Sequence, residues 1–547
     1  MTHEVRSHGF TALGPLHEAF ARLTGWAAVA TCILLGAFSA VAFAPFHFSA
    51  VLVISFTGLI WMLDGARGHR KWGKAVFLRC WAFGVGFFLI SMHWTAAPFL
   101  VEPEKHAIFL WMPLVLLPGG MAIIWGVFGA MAGAFWSASP SRIFVFAFFF
   151  ALAEYVRGHL FGGFPWNLPG TTWVPGGALS QGASLGGVYW LTLVTVFLMS
   201  TPAALVDTRD ARGLMLRIAP SFAAVILLAL GWSWGSQRIA TPSAMTDQTV
   251  VLMDSGVPQD EKWEIGPDPI LIEYLRLLSN QEGEPGDIII WPEGALPTTL
   301  LQDANALDAV GAYLGPRKLI VGTTRYEITG DNSRDYYNSL TVIDDTAIRS
   351  GPVALYDKHR LVPFGELAAA QIIPFGEALS GILPGAIQRM ARDGFHPGPG
   401  PAVIYADDIP PFVAMICYEG LYPSIPRNAN LGARADWLVL ISNDAWFGGG
   451  MGPAQHYAQN RYRAIETGLP LARVASRGAS AMVDGHGREV FRAAPVTDAP
   501  SGWNTDFGRG KLPAPAPVTL YQTRLGLLLF WLTLSLFVGL AFLTWRR

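Results

Sequence analysis

The stretch Pro411-Phe412-Val413-Ala414-Met415-Ile416-Cys417-Tyr418-Glu419-Gly420 is an apolar run that stops abruptly at a cysteine. Its first six residues read as a buried β-strand, and Glu419-Gly420 breaks the pattern. Such a junction sets the Cys417 sulfur at a strand end. A turn exposes it there, and backbone N–H groups can face developing negative charge. Cys417 is therefore a candidate nucleophile at the edge of a sheet.

The polar region around it alternates in the same way. Strands are expected at Thr249–Met253, Asp287–Trp291, Lys318–Gly322, Ser339–Ile343, Val353–Tyr356, Phe412–Cys417, Trp437–Ser442, Leu471–Ala475 and Ala481–Val483. Helices are expected at 268–280, 302–313 and 452–468, the last opening after Gly452-Pro453. Short strands alternating with helices predict an α/β domain whose sheets are covered by helices. Scattered Gly and Pro make 366–411 a long loop near the membrane and a lid candidate, with Trp446-Phe447 as a second. Pro513–Pro517 reads as a stiff linker back to the membrane.

The membrane enters through composition. The chain has 547 residues, of which 52% are hydrophobic and 14% charged. Soluble domains carry about 25% charged residues. Long apolar runs at about 24–44, 47–64, 75–96, 107–136, 142–157, 185–206, 216–235 and 525–545 predict about eight spans. Ala42-Phe43-Ala44 resembles a signal cleavage box, but Pro45 and a second apolar run follow at once, so no cleavage is expected. Arg67, Arg70, Lys71 and Lys74, then Arg209, Arg212 and Arg217, then Arg546 and Arg547 lie in alternate connections. By the positive-inside rule these are cytoplasmic, as are both termini, and the polar region lies outside. The 158–184 loop, with Gly163-Phe164-Pro165-Trp166, reads as an aromatic belt or a lipid-entry lip. The expected domains are a bundle over 1–240, a catalytic domain over 241–511 and a linker with a final helix over 512–547.

A formal net charge of −2 argues against nucleic acid as the main partner. Cys32 and Cys80 fall in apolar segments and read as small core residues. Cys, His and Asp/Glu never cluster with metal-ligand spacing, so no metal is expected, and no other cofactor is. No glycine loop has the strand–helix context of a phosphate cradle.

Two further strand ends carry chemistry. Ile288-Ile289-Ile290-Trp291-Pro292-Glu293-Gly294 ends in a carboxylate, and Ala354-Leu355-Tyr356-Asp357-Lys358 ends in an ammonium. Ligands gather at strand ends in α/β sheets, so Glu293, Lys358 and Cys417 can converge. A free thiol with a pKa near ~8.5 is mostly protonated at neutral pH. Glu293, held out of water, is the candidate acceptor of that proton, and Lys358 the candidate partner of the thiolate and of a tetrahedral oxyanion. Glu419 also suits a cap on the following turn, Asp436 a turn, Asp444 a loop-fixing role, and His456 and Arg461 structural places on a helix.

Trp291-Pro292-Glu293, Tyr356-Asp357-Lys358-His359 and Cys417-Tyr418-Glu419-Gly420 resemble the Glu-Lys-Cys triad of the nitrilase superfamily. With Lys358-His359-Arg360-Leu361-Val362-Pro363-Phe364-Gly365-Glu366, Ser442-Asn443-Asp444-Ala445-Trp446-Phe447-Gly448 and Gly163-Phe164-Pro165-Trp166, the chain is most similar to its membrane branch, the apolipoprotein N-acyltransferases. The resemblance implies a polytopic α-helical bundle joined to a nitrilase-like αββα-sandwich in a bacterial inner membrane, with that domain periplasmic. It implies ping-pong transfer of a fatty acyl chain from a phospholipid to the α-amino group of an S-diacylglyceryl cysteine on an apolipoprotein. The implied roles are base for Glu293, oxyanion stabiliser for Lys358 and acylated nucleophile for Cys417. Glu366 matches a second active-site acid, and Tyr418 and Glu419 match neighbours of the nucleophile. Trp263, Asn338 and Trp446 match substrate-site or loop positions. Gly294 departs from a small hydroxyl residue found in many relatives. A monomer is expected. The competing readings are a membrane-anchored amidase using the same triad, and a transporter or scaffold with a degenerate outer domain.

Overall fold

The computed structural model describes residues 13–545 except 68, 102, 138, 207–210, 280–283, 331–332, 364–365, 367–393 and 497–500. Most of the 366–411 lid candidate and the cations Arg209, Arg546 and Arg547 thus lie outside the described residues. The chain forms two units, one from 1–241 with 519–547 and one from 242–518.

The first unit is helical. Among the described residues, six helical stretches are long and apolar enough to cross a membrane: Gly25–Ala42, Trp72–Ser91, Ala107–Ala134, Leu179–Val206, Arg217–Ala240 and Arg524–Leu543. The other two expected spans form shorter helices, Val51–Ala66 with 16 residues and Ser141–Arg157 with 17. At 1.5 Å per residue they reach only about 24–26 Å, short of a ~30 Å hydrocarbon core. Trp125 packs against Phe83, Phe87, Phe88 and Phe150. Cys32 and Cys80 are free and buried, as core residues are.

The 158–184 loop differs from its sequence reading, because much of it turns inward. Trp166 is 1% exposed, and Asn167 and Thr172 are buried with it. An ion pair at the end of the preceding helix holds its near end. Arg157 and Glu154 bond at 2.5 Å, Trp125 Nε1 donates to Glu154 Oε1 at 2.7 Å, and Arg157 Nη1 donates to the Phe164 carbonyl at 2.5 Å. Thr172 Oγ1 donates to the Ala42 carbonyl at 2.6 Å and draws in the far end. In an apolar medium each such group needs a partner, and these supply one another.

Among the described residues the second unit has thirteen strands: β1 (Met245–Asp254), β2 (Ile288–Ile290), β3 (Lys318–Ile328), β4 (Arg334–Ile343), β5 (Ala354–Asp357), β6 (Val403–Ala406), β7 (Ile409–Ile416), β8 (Trp437–Asn443), β9 (Leu471–Ser476), β10 (Ala481–Val483), β11 (Glu489–Arg492), β12 (Ala494–Pro495) and β13 (Asp506–Pro513). One sheet runs β12-β13-β1-β2-β3-β4-β5 and the other β11-β10-β9-β8-β7-β6. Each has a parallel centre, β1-β2-β3 in the first and β7-β8-β9 in the second. Alternate residues face two cores. Val250, Leu252, Ile288 and Ile290 pack with Ile416, Val439, Ile441 and Val474 from the other sheet. Val251, Met253, Ile289 and Trp291 pack instead under the helices Pro267–Ser279 and Ala304–Leu314. Strands buried on both faces must be apolar throughout, which is why β2 and β8 stand out in the sequence. The product is a nitrilase-like α/β sandwich, in which the parallel strands β2, β7 and β8 deliver their C-terminal ends to the site. β6 and the first three residues of β7 lie within 403–411, which the sequence alone assigned to loop.

Candidate active site

Glu293 leaves β2 through a turn bound to its neighbour strand, with Trp291 N on the Ile320 carbonyl at 2.9 Å and Ala295 N on the Gly322 carbonyl at 3.2 Å. Trp291 is anchored by stacking on Tyr274, with ring centroids 4.1 Å apart. Gly294 has φ 55°, a left-handed conformation that glycine adopts without penalty and that costs other residues about 1–2 kcal/mol. The departure from a hydroxyl residue therefore has a local backbone reason. The carboxylate of Glu293 is fully engaged. Oε1 accepts from Asn338 Nδ2 at 2.7 Å and Lys358 Nζ at 3.2 Å, and Oε2 accepts from the Asn443 backbone N–H at 2.9 Å.

Lys358 follows β5, its backbone N–H bonded to the Asn338 carbonyl on β4 at 2.8 Å. The preceding Asp357 is pinned by Arg325 Nε at 2.8 Å, Arg325 Nη2 at 2.5 Å and Ser339 Oγ at 2.6 Å. Lys358 is 1% exposed, and its ammonium also donates to Glu366 Oε1 at 2.8 Å. Asn338 Nδ2 reaches that oxygen too, at 2.8 Å. Glu366 Oε2 accepts from Val362 N at 2.9 Å. Burial alone would pull the Lys358 ammonium down, but Glu293 and Glu366 outweigh it and hold it above its ordinary value. Its charge is therefore present throughout the physiological range and is lost only as pH rises through that elevated value.

Cys417 ends β7 and begins the 3-10 turn Cys417–Leu421. It has φ 50°, a left-handed conformation uncommon outside glycine. Burial pushes its thiol up, and Glu293 pushes further, with Lys358 and a Ser442 hydrogen bond opposing. The resting thiol is consequently neutral, and an adjacent base is needed to make it a nucleophile.

Glu419 is 0% exposed and ties the turn together. Its Oε1 accepts from Tyr356 Oη at 2.9 Å, His359 N at 2.9 Å and Arg360 N at 3.0 Å, and Oε2 accepts from Ile416 N at 2.9 Å. It thus both caps the turn after β7 and joins it to the Lys358 loop. Tyr418 is buried edge-on to Tyr422, which Arg360 covers. The segment after the undescribed 367–393 returns to the same place: Phe395 N bonds the Glu366 carbonyl, His396 N that of Tyr336 and Gly398 N that of Lys358.

The fold thus brings together Glu293, Lys358, Cys417, Glu366, Asn338, Tyr418 and Glu419. Trp263 is 68% exposed and Trp446 41% exposed; among the described residues neither is hydrogen-bonded to Glu293, Lys358 or Cys417. Sequence reasoning missed two contacts from the segment after β1. Lys262 is buried and donates to the Gly294 carbonyl; burial pulls its ammonium down to about 8, with Asp254 and Glu293 opposing. Gln259 Oε1 accepts from Asn443 Nδ2 at 3.0 Å. The signal available for both was sheet order, since β1 neighbours β2 and so delivers its following loop beside Glu293.

This arrangement can move a proton from a thiol to a carboxylate beside a fixed cation. That chemistry suits attack on an acyl carbon. Residues 35–201 match the Apolipoprotein N-acyltransferase N-terminal domain, and residues 271–498 match the Carbon-nitrogen hydrolase family. The Apolipoprotein N-acyltransferase of Caulobacter vibrioides is 36% identical over 476 residues, covering 85% of this chain and 86% of that protein. That of Brucella melitensis is 33% identical over 482 residues, covering 85% and 87%. An amidase from Nesterenkonia sp. has a solved structure that covers 51% of this chain and 94% of its own, with 16% identity and a TM-score of 0.31. Two domain matches and relatives of nearly full length agree with the strand-end chemistry: the chain belongs to the apolipoprotein N-acyltransferase family and is a membrane acyltransferase.

Proposed function

We propose that the protein transfers a fatty acyl chain from a phospholipid to the α-amino group of an N-terminal S-diacylglyceryl cysteine, through a thioester on Cys417. The observation that supports this most is the Glu293–Lys358–Glu366 array, whose Glu293 and Lys358 charges act on the buried thiol. In the first half, Glu293 takes the Cys417 proton as sulfur bonds to the ester carbonyl carbon. Negative charge moves from Glu293 to the carbonyl oxygen, where the Lys358 ammonium stabilises it. Collapse breaks the ester C–O bond, and the leaving lysophospholipid oxygen takes the proton back from Glu293. In the second half, the neutral amine attacks the thioester. Glu293 accepts a proton from the amine, the C–S bond breaks, and the thiolate is reprotonated. The sum is ester plus amine to amide plus alcohol. Glu366 keeps Lys358 charged while Glu293 is protonated.

Incubation with phospholipid and a diacylglyceryl-cysteine peptide tests the reading. N-acylated peptide is expected in step with lysophospholipid. Free fatty acid with an unmodified peptide would make the enzyme a hydrolase instead.

The catalytic unit is proposed to face the periplasm from the inner membrane, with both termini cytoplasmic and the protein acting as a monomer. The support is charge placement: Arg67, Arg70 and Lys71 lie between the helices Val51–Ala66 and Trp72–Ser91, and Lys74 lies in the first turn of the second. A reporter fused after Arg547 should score cytoplasmic and one inserted near Ser243 periplasmic. The reverse pattern would overturn the topology.

A further inference from the structure

Behind Cys417 lies a buried polar group that the transfer steps leave unused. Asp444, His456 and Arg473 are each 0% exposed. Asp444 follows β8, Arg473 belongs to β9, and His456 sits on the helix Met451–Thr467. Asp444 Oδ2 accepts from Arg473 Nη2 at 2.7 Å, and Oδ1 from Ser442 Oγ at 2.8 Å. His456 Nδ1 lies 3.0 Å from Asp444 Oδ1 and 3.1 Å from Arg473 Nη2, and its Nε2 lies 3.2 Å from the Cys417 carbonyl oxygen. A carbonyl oxygen only accepts, so Nε2 carries a proton in that contact. Arg473 also donates to Asn460 Oδ1 at 2.8 Å and to the Ala479 carbonyl at 2.5 Å. Phe447 closes the ring edge-on, 5.2 Å away.

Stability alone does not call for such a group. A buried ionic cluster roughly breaks even against apolar residues of the same volume. What singles this one out is its target. Cys417 holds a left-handed backbone at φ 50°, a conformation that persists only when its surroundings over-determine it. Glu419 secures the entry to that turn through Ile416 N. His456 meets the other side, at the carbonyl of Cys417 itself.

We propose that His456, oriented by Asp444 and Arg473, is a positioning residue that pins the Cys417 carbonyl and so holds the thiol in its attacking geometry. It acts through Cys417 and does not touch the substrate. The proposal rests on the reading of Cys417 as nucleophile.

The test uses full-length protein in phospholipid nanodiscs, with acylation of Cys417 followed by mass spectrometry across a range of donor concentrations. His456→Leu should slow the maximal acylation rate by roughly 10–100-fold, the effect of a misplaced reacting atom, with half-saturation unchanged within about two-fold. His456→Gln, whose amide can donate to the same carbonyl, should recover at least about five-fold of that loss, as a restored hydrogen bond of about 1 kcal/mol allows. A His456→Leu rate within two-fold of wild type would overturn the proposal, and so would equal rates in the two variants or a loss confined to half-saturation. Should His456→Leu not accumulate, Asp444→Asn keeps the volume and disorients the imidazole: a slowed maximal rate with half-saturation unchanged supports the proposal, and a rate within two-fold of wild type or a loss confined to half-saturation overturns it. Cys417→Ala, run in parallel, separates the two ideas. An acylated alanine variant removes the nucleophile, whereas an inert one beside wild-type His456→Leu removes only the positioning role.

Discussion

Cys417→Ala is expected to form no acyl-enzyme with phospholipid and to lose N-acylation by roughly 10⁴–10⁶-fold, the scale seen when a nucleophile is removed from a catalytic unit. The substitution deletes one sulfur from a site only 8% exposed and leaves the Glu419 and His456 contacts, which use backbone atoms of Ile416 and Cys417, in place. The variant should therefore insert and fold normally, and the loss should fall on chemistry. Intact-mass spectrometry checks this. Wild type should gain one acyl chain and the variant none. A variant that still carries an acyl chain would move the nucleophile elsewhere.

The second large effect concerns Glu293 and Lys358. Glu293→Gln should lower turnover by about 10²–10⁴-fold, the usual contribution of a general base. The site explains why the amide is a poor replacement. Both carboxylate oxygens accept, from Asn338, Lys358 and the Asn443 N–H, so an amide nitrogen must face a donor in either orientation. Lys358→Met should do at least as much damage. It leaves Glu293 and Glu366 without the ammonium that joins them, and removing one partner of a buried ion pair costs about 3–5 kcal/mol of stability. Single-turnover acylation, together with thermal unfolding, separates the two losses. Wild-type acylation in either variant would take that residue out of the mechanism.

Much of the fold was legible because the central strands are buried on both faces. Ile288-Ile289-Ile290 and the run before Cys417 can be little else. β13 was missed for the opposite reason. Asp506-Phe507-Gly508-Arg509-Gly510-Lys511 is charged and glycine-rich, against strand propensity. It is held instead by pairing with β1 and by Arg509 on Asp287 at 2.8 Å. The loop at Trp166 misled because tryptophan suits both an interface and a core; here it packs on Trp94 and Phe164, beside the Glu154–Arg157 pair. In the site, residues that end strands could be read from the chain. Glu293, Lys358 and Cys417 each close an apolar run. The supports could not, because the Asn443 backbone N–H, the Cys417 carbonyl and the buried Lys262 leave no pattern. Their roles come from sheet order, which sets β1 beside β2 and β8 beside β7.

Discharge of the isolated acyl-enzyme tests the thioester route most directly. Protein loaded with a labelled phospholipid and freed of donor should hold the label on Cys417. Adding a diacylglyceryl-cysteine peptide should transfer that label to the peptide's α-amino group and return the free thiol. A label that stays on the protein, or that leaves only as free fatty acid while the peptide remains unmodified, would contradict the account.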